Sequence, residues 1–181
     1  GDPLAQTFML ADDGGTFVTS IEFFFSAKDN NLPVWCEIRN VVNGYPGPKV
    51  LPFGRKVITP DQVNLNDTTG TTPTKFTFDS PVFLQSGVEY CVVLQTDSLD
   101  YRVWIAQMGE TDVSGSDRVI SKQPTLGVLF KSQNNRTWNA IQMQDLKFTL
   151  NRADFSKGIS TFLSTSATLK LQNKSIGDTT T

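Results

Sequence analysis

The chain contains no histidine among its 181 residues. Histidine is the side chain that most often transfers protons near neutral pH, and it is the commonest metal ligand in proteins. Its absence excludes Ser-His-Asp and Cys-His catalysis, because both need an imidazole as the general base. The sequence therefore predicts no catalytic, cofactor-binding or metal-binding residues, and we expect a protein that is not an enzyme.

Cysteine is nearly as scarce, since only Cys36 and Cys91 are present. They lie far apart and outside any C-x-x-C spacing, which argues against a zinc site built from thiolates. A disulfide between them requires the strands at 35–39 and 89–95 to be neighbours. The alternative is two buried thiols that behave as small apolar side chains. The sequence alone leaves both alternatives open.

Strong charge and long apolar runs are also missing. Lys and Arg number 16 against 18 Asp and Glu, which gives a net charge of -2. Nucleic-acid binding through a basic surface is therefore disfavoured. No run approaches the roughly 18 apolar residues of a membrane span, and no segment resembles a signal peptide. We expect neither a nucleic-acid partner nor membrane insertion.

Short segments of alternating apolar and polar residues dominate what is present. In "FVTSIEFFFSA" (17–27) the alternation places Phe17, Ile21, Phe23 and Phe25 on one face, and "VWCEIRNVV" (34–42) continues the pattern. Such period-two segments between clusters of Gly, Pro, Asn and Asp are typical of half-buried strands. Hydrophobic residues make up 38% of the chain, enough for one core. The sequence predicts an all-β protein, an antiparallel two-sheet β-sandwich of jelly-roll-like type.

Long-range organisation is harder to derive. The polar stretch 59–74 is long enough to cross from one sheet to the other. First and last strands of antiparallel sandwiches often pair, so we expect Phe8 and Leu10 in "DPLAQTFML" to lie beside Leu146, Phe148 and Leu150 in "QDLKFTLNRADF". That pairing would bring the two ends of the domain together.

The last 26 residues differ in composition from the rest. Residues 156–181 are rich in Ser and Thr, and their bulky apolar residues are few. The segment is either disordered or a C-terminal arm that packs on a neighbouring chain or connects to a following domain. The sequence therefore predicts a β-sandwich domain at 1–155 and an arm or connection at 156–181.

Acidic residues supply two weak candidates for chemistry. Asp12 and Asp13 precede Gly14 and Gly15, and such a turn could offer oxygen ligands to calcium, although the spacing matches no calcium-loop motif. A glycine-rich hairpin turn is the simpler interpretation. A second set could supply the paired carboxylates of a glycosidase, but ordinary loop polarity explains it better. Its members are Asp97, Asp100, Glu110, Asp112 and Asp117.

Aromatic side chains are the candidates for binding. Exposed aromatic residues on β-sandwiches often stack on sugar rings, whereas most aromatic residues pack in cores or interfaces. Trp104 is of most interest, because it shares a face with Arg102 opposite Val103 and Ile105. If that face is not the core, Trp104 lies on an exposed or partner-covered surface. The candidate surface contacts are Tyr45, Tyr101, Arg102, Trp104 and Trp138.

Several segments resemble, in order, a module of baseplate and tail structural proteins of large contractile-tailed bacteriophages. They are "DPLAQTF", "GGTFVTSIEFFFSAKD", "PVWCEIRNVVNGYPGPKVLPF", "FTFDSPVFLQSGVEYCVVLQTDSLDYRVWIAQMGE" and "LFKSQNNRTWNAIQMQDLKFTLNRADF". The resemblance covers about residues 2–155. It implies a virion component of the tail baseplate or a tail fibre, assembled in the reducing cytoplasm of the bacterial host, with both cysteines as free thiols. The family brings no catalytic motif and no cofactor.

The expected partners follow from that resemblance. They are other virion tail or baseplate proteins, and a homo-oligomer is a further possibility. The loops at 43–48 and 108–127 are candidate contacts. The alternative function is a carbohydrate-binding or receptor-binding sandwich that touches a glycan on the host cell surface through an exposed aromatic residue.

Overall fold

The computed structural model describes residues 1–66, 68–107, 125–154, 158–163 and 170–175, which form two antiparallel β-sheets packed face to face. The predicted all-β sandwich is therefore confirmed. Apart from one 3₁₀ turn, Pro60–Gln62, the regular elements of the described residues are β-strands.

The first sheet has six strands in the order β4-β3-β6-β1-β8-β9. Its members are β1 (Leu4–Met9), β3 (Val34–Val42), β4 (Tyr45–Ile58), β6 (Glu89–Thr96), β8 (Thr125–Ser132) and β9 (Trp138–Ile141).

The second sheet follows the order β10-β7-β2-β11-β12, with β5 paired to β2 and β13 paired to β7. Its members are β2 (Thr16–Ala27), β5 (Pro73–Leu84), β7 (Arg102–Gln107), β10 (Gln144–Leu146), β11 (Phe148–Asp154), β12 (Gly158–Leu163) and β13 (Lys170–Ser175).

The core lies between the inner faces of the sheets and follows from the alternation of side chains along each strand. On β2 the residues Ile21, Phe23 and Phe25 are fully buried there, and on β7 Val103 and Ile105 join the same cluster. Phenylalanine rings make much of the contact between them. Ring centroids of Phe23 and Phe76, for example, lie 5.3 Å apart in an edge-to-face arrangement.

A bulge in β2 changes which residues face the core. In the pairing with β11, Asn151 lies opposite Ser20 and Arg152 lies opposite Val18, which leaves Thr19 as an extra residue on β2. An extra residue at a bulge reverses the facing of the side chains beyond it. Val18 is therefore buried in the core, whereas Phe17, which the alternation predicts on the apolar face, is exposed.

The expected pairing of the first and last strands is wrong. β1 lies inside the first sheet between β6 and β8, whereas β11 lies in the second sheet between β2 and β12. The two strands instead face each other across the core, where the rings of Phe8 and Phe148 are 5.9 Å apart. Alternation indicates which face a side chain occupies, and it does not indicate which strand lies alongside.

The polar stretch at 59–74 crosses between the sheets as expected, because it joins β4 to β5. The loop expected at 43–48 is shorter in the structure. Asn43 and Gly44 alone form it, both with positive φ, and β4 begins at Tyr45. β4 is an edge strand, and it contains three prolines, Pro46, Pro48 and Pro52.

The C-terminal segment contributes two strands to the second sheet. β12 pairs with β11, and β13 pairs with β7 over six residues. The division at residue 155 stays a prediction, because residues 155–157, 164–169 and 176–181 lie outside the described residues.

Candidate functional site

The cysteine thiols are not available for chemistry. β3 and β6 are neighbours as a disulfide would require, yet Cys36 and Cys91 are free and buried. Cys36 points into the core between the sheets, whereas Cys91 belongs to a cluster on the opposite face of the first sheet. Burial raises the pKa of both thiols, that of Cys91 to about 12. Neither forms the thiolate that a nucleophile requires at neutral pH.

The acidic turn is used within the fold. The Asp12 carboxylate pairs with Arg152 at 2.8 Å and accepts a hydrogen bond from the Thr16 hydroxyl at 2.9 Å. Of the second acidic set, Asp97 and Asp100 are exposed, and its members at 110, 112 and 117 lie outside the described residues. Within the described part of the chain, no group of three or more acidic or cysteine side chains could hold a metal ion.

Tyr101 and Arg102 differ in burial although they are adjacent. Arg102 is exposed at the start of β7. Tyr101 has no exposed surface, and its hydroxyl donates a hydrogen bond to the Leu32 carbonyl at 2.6 Å. Burial, with a smaller effect of the Asp29 charge, raises the pKa of the Tyr101 hydroxyl to about 12. Tyr101 therefore anchors a loop from the interior and is not a surface contact.

Trp104 lies on the outer face of the second sheet, as its position opposite Val103 predicts, but the chain itself covers it. Its indole Nε1 donates a hydrogen bond to the Asn66 carbonyl at 2.7 Å, and only 4% of the residue is exposed. Gly70 packs against the ring so closely that a Cβ there would lie 2.6 Å from Trp104 Cδ2. The expected exposed or partner-covered surface is therefore absent at this residue.

Tyr45 and Trp138 share the outer face of the first sheet. Trp138 is buried in the outer-face cluster with Ala5, Cys91, Val93 and Phe130. Tyr45 is 54% exposed, and its ring lies 5.4 Å from that of Phe130. Of the five candidate contacts, Tyr45 and Arg102 are thus the two with exposed side chains.

Phe53 is an exposed aromatic residue that the sequence analysis missed. Between the pairs Glu37–Arg55 and Arg39–Val50, β4 contains four residues where β3 contains one. The extra residues form a bulge that displays Phe53, which is 62% exposed. Its φ of 62° lies in the left-handed region, which is strained for a bulky side chain. Pro52 and Gly54 beside it, inside a strand, are the sequence signal for such a bulge.

A pair of exposed aromatic rings lies on the outer face of the second sheet. Phe17 and Phe83 face each other across β2 and β5 with ring centroids 5.0 Å apart. They are 42% and 44% exposed. The bulge in β2 places Phe17 there, and simple alternation could not reveal it.

A cavity of about 200 Å³ opens beside the turn between β9 and β10. Gly127, Val128 and residues 141–145 line it. The side chain of Asp145 is partly buried, and its Oδ1 accepts a hydrogen bond from Gln6 Nε2 at 3.2 Å. Burial raises the pKa of this carboxyl, although the hydrogen bond from Gln6 acts in the opposite direction. No ion pair to Asp145 is formed within the described residues.

Gln144 precedes Asp145 on β10 and also lines this cavity. Its side-chain Oε1 is buried and has no hydrogen-bond partner. Gln6, which is fully buried, holds the neighbouring backbone, because its Oε1 accepts a hydrogen bond from the Leu146 N–H at 2.9 Å. A lone acid within a strand resembles ordinary surface polarity, so the sequence provides no signal for this cavity.

Comparisons with family models, curated proteins and solved structures found no match to the chain. Among the described residues, no helix has the length and apolar character needed to cross a bilayer.

Replacing Gly70 by alanine tests how tightly Gly70 packs against the ring of Trp104. The φ of +64° and the close approach to the ring should together cost about 2–4 kcal/mol of unfolding free energy. Gly44→Ala is the matched control, since Gly44 has a φ of +82° and no atom within 4 Å of its Cβ position. That variant should lose only about 1 kcal/mol in urea denaturation. Equal losses for the two variants would contradict the close packing.

Replacing Asp145 by asparagine tests the half-buried carboxylate. A carboxyl whose folded pKa is raised costs no stability below its unfolded pKa, and the cost grows as pH rises through the folded pKa. Asp145→Asn should therefore unfold at a higher temperature than the wild type at pH 7, and the difference should shrink towards pH 3. Asp97→Asn, an exposed control, should show no such trend in thermal unfolding. A destabilised Asp145→Asn at pH 7 would refute the expected cost.

Proposed function

We propose that the chain is a structural module of a bacteriophage tail, in the baseplate or a tail fibre, and that it holds neighbouring virion proteins through apolar side chains displayed on its outer surfaces. The resemblance of its segments to phage tail modules is the reason for placing it in a tail. A histidine-free chain with buried thiols and a predominantly structural use of its polar groups supports a binding role over a catalytic one.

The main support for this proposal is that Phe53 is exposed at a position with a strained backbone. A bulky residue in the left-handed region costs stability, and an exposed ring recovers little of that cost by burial within its own chain. Aromatic residues that fill a pocket on a partner contribute most to protein interfaces. A partner that covers the ring explains why a strained bulge presents it.

The Phe17–Phe83 pair supports the same role from the other sheet. Two adjacent rings, each less than half exposed, form a small apolar patch. Contacts on two different sheets of a rigid sandwich allow one module to join two neighbours. Several weak contacts of this kind raise the effective affinity when copies are arranged around a symmetric axis.

The decisive measurement is the protein content of purified particles of the phage whose genome encodes this sequence. Mass spectrometry should detect peptides of the chain in a fixed ratio to other tail proteins, and complete absence from particles would overturn the proposal. Phe53→Gly should be incorporated at least about tenfold less than the wild type, because an interface anchor is removed. Glycine adopts the same φ without strain, so this variant should be no less stable in urea.

Leu99→Ala is the matched control, since Leu99 is 75% exposed and has no positive φ. We expect its incorporation to be unchanged. If Phe53→Gly and Leu99→Ala enter particles as well as the wild type does, Phe53 is not a contact.

A second candidate function is favoured by a group on the outer face of the first sheet. Trp35 is half-buried, and the Arg55 guanidinium lies 5.4 Å from its ring centroid. Gln95 is paired with Trp35 across the strands, accepts a hydrogen bond from Asn135 at 3.3 Å and has a buried Nε2 without a partner. An aromatic ring beside amide groups is the composition of many sugar sites. A sugar would first have to displace Arg55, which ranks this function second.

A glycan array with the purified chain distinguishes the two functions. The structural role predicts no selective binding. Competable binding of one sugar class, lost in Trp35→Ala and kept in Tyr45→Ala, would establish the carbohydrate-binding function instead.

A further inference from the structure

We propose that Arg55 binds an aspartate or glutamate side chain of a neighbouring protein chain, on the same strand, β4, that presents Phe53. The proposal deepens the structural role given above and rests on it for the source of the acid. It adds the chemistry of the partner, which should present a carboxylate beside the apolar surface that covers Phe53.

Arg55 supplies a positive charge that the fold does not need for neutralisation. Glu37 is buried and already pairs with the buried Arg39, whose Nε and Nη2 both lie 2.6 Å from Glu37 Oε2. A buried carboxylate has to be paired, and this contact meets that need. Arg55 is a second guanidinium beside the same carboxylate. The three side chains together therefore carry one excess positive charge.

The donors of Arg55 are largely unused. Its closest approach to Glu37 joins Nε to Oε1 at 3.5 Å, which is longer than the roughly 2.7–3.2 Å of a normal hydrogen bond. Within the described part of the chain, Arg55 forms no other ion pair and no hydrogen bond. Since Nε is the guanidinium atom nearest to Glu37, the terminal nitrogens Nη1 and Nη2 are left for a second acceptor. Their parallel N–H groups match the two oxygens of a carboxylate.

Trp35 holds the guanidinium in place. Arg55 Cζ lies 5.4 Å from the ring centroid of Trp35, within the range of a cation–π contact. The β3–β4 pairing sets Glu37 opposite Arg55 and Trp35 opposite Val57, so these side chains share the outer face of the first sheet. The Arg55 side chain is nevertheless 53% exposed. A charged group that is both held and accessible loses less freedom on binding than a free surface arginine.

The surroundings of Arg55 favour a protein chain over a small anion. Phe53 and Val57 lie two positions before and two positions after it on β4, and they are 62% and 38% exposed. Arginine and aromatic anchors surrounded by contacts that exclude water are typical of protein interfaces. A small anion would leave both apolar side chains exposed. The net charge of -2 disfavours a polyanion such as nucleic acid.

The first test titrates the intact, isotope-labelled chain at low ionic strength and follows the indole N–H signal of Trp35 by NMR. The probes are the N-acetyl, methylamide derivatives of glutamate and glutamine, which differ in charge. The glutamate probe should shift the signal with a dissociation constant in the millimolar range. The glutamine probe should bind at least about tenfold more weakly. Equal binding of the two probes, or no shift with either, overturns the proposal.

Variants at position 55 separate charge from packing. Arg55→Met keeps an unbranched stem over Trp35 without the charge, and it should bind the glutamate probe at least about tenfold more weakly than the wild type. Arg55→Lys keeps the charge and should bind more tightly than Arg55→Met. Arg102→Met is the matched control, since Arg102 is exposed on the second sheet, and it should bind as the wild type does. Unaffected binding in Arg55→Met overturns the proposal.

Incorporation into purified particles tests the source of the acid. Arg55→Met should be incorporated at least about tenfold less than the wild type, and Arg102→Met should be incorporated normally. Normal incorporation of Arg55→Met together with poor incorporation of Phe53→Gly overturns this proposal and leaves the structural role standing. Absence of the chain from particles overturns the structural role, and the assignment of the acid to a neighbour falls with it.

An acidic sugar is the competing ligand. Methyl glucuronide, added to the same NMR sample, should bind no more tightly than the glutamate probe. Binding at least about tenfold tighter would assign Arg55 to an acidic glycan and overturn the assignment to a protein partner.

Discussion

Packing of aromatic rings between the two sheets is the interaction on which the rest of the structure depends. Phe148 contacts Phe8 from the first sheet and Phe23 from its own sheet, with ring centroids at 5.9 and 6.4 Å. Each such pair contributes about 0.5–1.5 kcal/mol beyond the burial of its area. Because the inner faces are committed to this core, the side chains left for other proteins lie on the outer faces, bulges and turns.

Local structure could be predicted from the sequence wherever it depends only on the alternation of apolar and polar residues along a strand. The buried positions Ile21, Phe23 and Phe25 on β2 follow from the period of two, as does the opposite facing of Val103 and Trp104 on β7. The all-β sandwich follows from many such segments. These features depend on neighbours within a single strand, and the sequence contains them directly.

Features that depend on distant residues could not be predicted. Which strands lie beside β1 depends on the arrangement of the whole sheet. The sequence near β1 therefore contains no signal for its partners β6 and β8. Trp104 is covered because Asn66 and Gly70, more than thirty residues earlier, fold over it. The cavity at Asp145 likewise depends on Gln6 from the opposite end of the chain.

Several positions retain an arrangement that lowers the stability of the isolated chain, and three of them have side chains that are at least partly exposed. Phe53 and Met143 have a positive φ, which is strained for side chains of their size, and Asp145 has a half-buried carboxylate without an ion pair in the described residues. Sequences generally agree with their fold at every level except where function requires otherwise. The coincidence of unfavourable local energy with accessibility distinguishes these positions from exposed apolar residues such as Leu99, whose φ is not positive.

The prolines of β4 have a consequence for how such a module tolerates crowding. An edge strand normally offers a row of free amide groups to any extended segment that drifts against it. Pro46, Pro48 and Pro52 on β4 have no backbone N–H to offer at this border of the first sheet. Copies held at high density are thereby hindered from merging edge to edge into one continuous sheet. Recognition at this border then depends more on side-chain shape, which differs from one protein to the next, whereas backbone pairing is common to all.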